Sequence, residues 1–246
     1  MKPWVAMWAY AFSLYLFFKC LTWPKKASRS TKCIYLLAWP GMDPTVLKKG
    51  WPLRTSRKEW AWAFLKFLLG CSLIWLLPHS LPLWAQGWSG MLGLIFILHF
   101  GGFHLIALLL RSRGYQVTPI MRAPLFATSV SDFWGKRWNM AFRDLAHSQV
   151  FSKYSRRFGG GFAIVATFLF SGLLHEAVIS LPVRAGFGGP TFYFLLQGVA
   201  MLLERKGFRS RFFALAVTLL PAPLLFHPAF LNGVIVPFLH ALGGLP

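Results

Sequence analysis

The chain has 246 residues, 56% of them hydrophobic and 13% charged, with 26 basic and 6 acidic residues and a formal net charge of +20. Soluble domains carry about a quarter charged residues, so this composition excludes an ordinary water-soluble domain. The apolar runs are apolar on all faces and lack the period-two alternation of barrel strands, which predicts an all-α, polytopic bundle of transmembrane helices in one membrane-embedded domain, residues 1–246.

The first apolar run, residues 4–18, is followed by no small-residue cleavage site and predicts a retained helix. A basic stretch at 19–58 holds the turn-like Trp39-Pro40-Gly41-Met42-Asp43-Pro44. A second helix is expected at 60–77, ended by Pro78, and a connection without Lys, Arg, Asp or Glu follows at 79–90. A third is expected at 91–110, before Arg111 and Arg113. A long basic section, 111–161, precedes a fourth at 162–181 and, past Arg184, a fifth near 191–203. After the charged loop 204–211, Pro221, Pro223, Pro228 and Pro237 break the last apolar stretch into two short, kinked helices. The reading gives about seven membrane segments.

Three loops (19–58, 111–161 and 204–211) are basic and the ones between them nearly uncharged, which places the basic loops in the cytoplasm. Because most of the positive charge lies between the apolar runs, it argues for membrane topology and against nucleic acid as the partner. A basic surface of this kind also attracts anionic membrane lipids and the phosphates of an acyl carrier such as coenzyme A. Cys20, Cys33 and Cys71 have no paired spacing and are assigned no role.

Two places carry chemistry. His175-Glu176 is an ionisable pair inside an otherwise apolar helix, a position that is costly and points to function. Adjacent helical residues point about 100° apart, so Glu176 does not face His175, whereas Ser171, four residues earlier, does. Against a Ser–His dyad stands the ordinary use of small serines in helix packing. The second place is the segment from Ser129 to Asn139. Continued as one helix, it sets Asp132, Lys136, Asn139, Arg143 and His147 along one face and Trp134, Trp138, Ala141 and Leu145 along another. That pattern predicts an amphipathic interfacial helix, with Ser131 or Asp132 as its cap. His99 and His104 lie five residues apart, about 140° around a helix, so no metal site is expected; they and His227 read as packing or interfacial residues.

The run Asp132-Phe133-Trp134-Gly135-Lys136-Arg137-Trp138-Asn139, followed about 35 residues later by Ser171-Gly172-Leu173-Leu174-His175-Glu176, resembles the membrane-bound O-acyltransferase family. The tryptophan-rich form is most similar to its wax synthase-like branch, as is the Trp39-to-Asp43 turn. The resemblance implies a long-chain acyl group passed from acyl-CoA, a co-substrate, to a lipid-soluble alcohol, with no further cofactor. It implies His175 as catalytic base and Asn139 as its assistant. Trp134, Lys136, Arg137, Trp138, Arg143, Ser171 and Glu176 are the expected substrate-binding residues. A sterol, a glycan or a polyketide-like alcohol stands as the alternative acceptor. A proton-coupled transporter using His175 and Glu176, or a catalytically silent membrane scaffold, stands as the alternative class.

Overall fold

The computed structural model describes residues 1–50, 54–76 and 81–244 and is all-helical, with one isolated bridge between Lys49 and Tyr115. Its principal helices are α1 (Pro3–Leu21), α2 (Arg29–Leu37), α3 (Arg57–Trp75), α4 (Leu83–Ser112), α5 (Met140–Val183), α6 (Gly189–Glu204), α7 (Arg211–Leu225) and α8 (Pro228–Ala241). Among the described residues, α1, α4 and α5 are each long and apolar enough to cross a membrane; α7 and α8, bent by 58°, make a fourth span if taken together. Arg57, Lys58, Glu59 and Lys66 keep α3 below that standard, and α6 has only 16 residues. The expected proline-broken end of the chain is therefore present. Pro78, expected to stop the second helix, lies outside the described residues.

Many large apolar side chains cover the outside of the bundle, among them Phe12, Leu16, Phe17, Trp62, Phe64, Leu65 and Phe162. Such a surface suits hydrocarbon and not water. Helices in lipid gain nothing by hiding apolar atoms from each other, so small residues must let them approach. Gly70 of α3 and Gly93 of α4 meet this need: a Cβ on Gly70 would stand 2.7 Å from the Gly93 carbonyl oxygen. Gly172 of α5 does the same against α6, where an added Cβ would stand 2.7 Å from the Thr191 Cα. Gly172→Ala is expected to destabilise by about 1–3 kcal/mol, because the obstacle is backbone. The melting temperature of the solubilised protein should fall by roughly 5 °C.

The amphipathic helix expected through 129–147 is broken. Val130–Asp132 is helical and runs into a widened, π-helical turn, Phe133–Arg137. Trp138 is then extended, and Asn139 is left-handed at φ 43° before α5 begins at Met140. A neighbouring loop takes up the backbone groups freed by the break: Arg122 N–H donates to the Arg137 carbonyl at 2.8 Å, and Met140 N–H to the Ile120 carbonyl at 3.0 Å. The break corrects the common face proposed for Asp132, Lys136, Asn139, Arg143 and His147. Trp134 is turned into the bundle. It packs between Phe168 of α5 and Phe194 of α6, at 6.0 and 5.5 Å between ring centres.

Lys19, read as the first residue of a basic loop, is completely buried at the end of α1. Its ammonium donates to the carbonyls of Tyr35, Trp39 and Gly41 at 2.7, 2.7 and 2.8 Å and lies 3.6 Å from the centre of the Tyr35 ring. Three donors meet three acceptors, so the turn at 39–41 is drawn onto α1. Lys19→Met would strand three carbonyls, each at a cost of about 1–3 kcal/mol if it stays dry. The expected result is a lower melting temperature and faster proteolysis within 39–50.

Candidate active site

α5 positions His175, and the interruption before α5 positions Asn139. Both line one cavity of about 580 Å³, within the roughly 300–1,000 Å³ usual for small-molecule sites. Its walls are mostly apolar and aromatic, from Leu14 and Phe18 of α1 through Phe142, Ile164 and Phe168 of α5 to Phe194 of α6. The turn held by Lys19 contributes Pro40 and Met42. Four widened helical turns also feed the cavity, presenting His99, Trp134, His147 with Phe151, and Val178. Such turns are rare and recur at functional sites, because the extra residue redirects side chains without ending the helix.

The His175 ring has a defined protonation pattern. Its Nδ1 lies 2.7 Å from the Ser171 carbonyl oxygen. A carbonyl only accepts, so Nδ1 carries the proton and Nε2 keeps its lone pair. No group among the described residues hydrogen-bonds Nε2. The ring is held against Phe194 at 4.4 Å and edge-on to Phe142 at 6.3 Å. The arrangement is a fixed imidazole with a free basic nitrogen in a largely apolar cavity.

Asn139 is equally constrained. Its Oδ1 accepts the Phe142 N–H at 3.2 Å, capping the first turn of α5. A backbone donor at that oxygen settles the orientation of the amide and leaves the Nδ2 hydrogens for another partner. Asparagine tolerates the left-handed backbone better than most residues. No hydrogen bond joins Asn139 to His175; the two are related through the cavity and through Phe142, whose N–H is capped by one and whose ring abuts the other.

Of the other expected binding residues, Trp134, Trp138, Arg143 and Ser171 line the cavity; Lys136, Arg137 and Glu176 do not. Ser171 forms no dyad with His175, since its hydroxyl donates to the Thr167 carbonyl at 3.0 Å and the imidazole meets its backbone. Glu176 turns to the start of α6, accepting from Gly188 N–H at 2.9 Å and from the Thr191 N–H and hydroxyl at 3.1 and 3.0 Å. Arg137 is bound to Asp132 at 2.6 Å. Partial burial raises the Asp132 carboxyl, but the Thr128 N–H, Arg137 and Lys136 outweigh it and hold it below the usual carboxylate value. Lys136 is exposed, and Arg143 pairs with Asp144 at 3.1 Å while bordering the cavity.

Supports behind this wall escaped the sequence reading. Trp134 Nε1 donates to Gln197 Oε1 at 3.2 Å, and the buried Gln197 in turn donates to the Val217 carbonyl at 2.8 Å. The Glu204 carboxylate accepts the Val130 N–H and, at 2.9 and 2.8 Å, the Ser131 N–H and hydroxyl, closing the N-terminus of the segment that carries Trp134. Glu204 was legible only as loop charge. His99 and His147 also reach the cavity, and only assembly of the bundle shows this.

Residues 117–196 match the sequence profile of the membrane bound O-acyl transferase family. The chain is 33% identical over 108 residues to a probable long-chain-alcohol O-fatty-acyltransferase 7 of Arabidopsis thaliana, covering 40% of this chain and 32% of that protein. It is 29% identical over 148 residues to the probable enzyme 9 of the same plant, covering 51% and 43%. Against the long-chain-alcohol O-fatty-acyltransferase of Simmondsia chinensis it is 33% identical over 100 residues, covering 37% and 28%. The chain thus spans less than half the length of these curated relatives. Residues 117–196, which hold both the break at Asn139 and His175, are similar to the membrane bound O-acyl transferase family, and the chain is a multi-pass membrane protein distantly homologous to plant long-chain-alcohol O-fatty-acyltransferases.

Proposed function

We propose that the protein transfers a long-chain acyl group from acyl-CoA to a lipid-soluble alcohol, forming a wax-type ester, with His175 as general base and Asn139 as hydrogen-bond donor. The observation that carries the reading is the free Nε2 of His175 inside an apolar cavity that Asn139 also lines. Nε2 takes the alcohol proton as the alcohol oxygen attacks the thioester carbonyl carbon. Asn139 Nδ2 donates to the oxygen as it becomes anionic. The tetrahedral intermediate collapses, the carbon–sulfur bond breaks, and the imidazolium returns its proton to the departing thiolate. Ester and coenzyme A are the products. Enclosure by Phe142, Phe168 and Phe194 limits water, which competes with the alcohol.

Arg143, which borders the cavity, and the exposed Lys136 supply positive charge for the coenzyme's phosphates. The basic loops then face the cytoplasm, where acyl-CoA is available. With α3 and α6 counted as embedded and α7 and α8 as separate limbs, the bundle has seven membrane segments.

The test is product identification. Purified protein in lipid nanodiscs receives palmitoyl-CoA with hexadecanol, a sterol or a monosaccharide, and esters are detected by mass spectrometry. Hexadecyl palmitate is expected as the main product. A sterol or sugar ester in its place would redirect the acceptor, and no ester with any of them would remove the reading.

A further inference from the structure

Cavity-lining histidines other than His175 have no part in that mechanism, and His99 is the most deeply placed. It sits in the widened turn Phe96–Gly102 at the middle of α4, with its ring 5.4 Å from that of Phe103. Its Nδ1 is sealed from solvent and has no hydrogen-bond partner, although the residue is only partly buried and lines the cavity. Helical serines commonly bond a carbonyl one turn back, and His175 does the same. His99 does not. A sealed lone pair is a smaller penalty than a sealed N–H, so the proton belongs on Nε2. The other ring nitrogen of this cavity-lining residue therefore carries a donor, where the free nitrogen of His175 is an acceptor.

We infer that His99 is a binding residue for the acyl acceptor, its Nε2–H donating to the oxygen of the acceptor hydroxyl. The inference rests on the proposed acyl transfer and deepens it. A hydroxyl has one proton and two lone pairs. Its proton is met by His175 Nε2 and one lone pair attacks the carbonyl carbon, so the second lone pair is left without a partner. The thioester oxygen is already served by Asn139. His99 lines the same cavity with a ring nitrogen able to fill the vacant place, and filling it holds the hydroxyl in the cavity. A cavity lined this way favours acceptors that carry a hydroxyl over equally apolar molecules without one.

The test measures steady-state kinetics and equilibrium binding in nanodiscs. In His99→Phe the KM for hexadecanol should rise about tenfold, the worth of one hydrogen bond, while kcat and the KM for palmitoyl-CoA change less than twofold. His99→Gln, which restores a donor, should recover most of the loss. Binding of radiolabelled hexadecanol without acyl-CoA should weaken by the same factor in His99→Phe, or in His99→Leu if the first variant does not fold. An unchanged KM and unchanged binding overturn the inference, as does a fall in kcat with the alcohol KM intact. If wild-type protein makes no ester, acyl transfer fails on its own, and the binding measurement still decides whether His99 holds a hydroxyl.

Discussion

Replacing His175 by alanine is expected to lower alcohol-dependent release of coenzyme A from palmitoyl-CoA by about 10²–10⁴-fold, the contribution of a positioned general base. An alcohol is too weak an acid to attack a thioester unless its proton leaves as the bond forms. His175 Nε2 is a basic imidazole nitrogen without a partner among the described residues, in the cavity that Asn139 also lines, because the Ser171 carbonyl occupies Nδ1. His175→Phe is the sharper control. It keeps an aromatic ring between Phe142 and Phe194, so folding should be spared while the base is gone. Thiol titration checks the rate, and size-exclusion profiles check the fold. A variant that releases thiol at the wild-type rate would remove His175 from the chemistry.

The second large effect separates the two duties of Asn139. Asn139→Asp keeps an oxygen to cap Phe142 and a residue type tolerant of the left-handed backbone, but it replaces a donor amide with an anion. Stability should stay within about 0.5 kcal/mol while kcat falls roughly 10²–10³-fold, the loss seen when one oxyanion donor is removed. Asn139→Ala loses donor and cap together and should also be destabilised by about 1–2 kcal/mol. Comparing melting temperatures with single-turnover rates for the two variants resolves the duties. Full activity in Asn139→Asp would mean that the residue only shapes the start of α5.

The residues show why some of this was legible in the sequence and some was not. Apolar runs and prolines act locally, so α1, α3, the C-terminal parts of α4 and α5 and the bend between α7 and α8 appear close to where hydrophobicity and Pro228 place them, whereas the helical residues 83–90 and 140–161 fall in stretches that read as connections. His175 stood out because an ionisable side chain within an apolar run is costly. The polar spacing from Asp132 to His147 fits one helix equally well, and the break at Trp138-Asn139 is decided by a loop at 120–122 that supplies the missing backbone partners. Lys19 looked like loop charge because its three carbonyl partners are 16–22 residues away. The role of Glu204 depends on a helix end 74 residues earlier in the chain. His99 gave no local sign, since its cavity exists only once α1, α4 and α5 have come together.

What every step requires is a thioester seated beside the free nitrogen of His175. A structure of the protein in nanodiscs with a non-hydrolysable ketone analogue of palmitoyl-CoA, in which a methylene is inserted between the sulfur and the carbonyl, measures this directly. The expected result is an acyl chain in the cavity, the analogue's oxygen on Asn139 Nδ2, and its reacting carbon close enough to Nε2 to admit only an alcohol oxygen between them, with each gap about 3–3.5 Å. An analogue bound outside the cavity, or one whose reacting carbon is separated from His175 by an aromatic wall, would contradict the account.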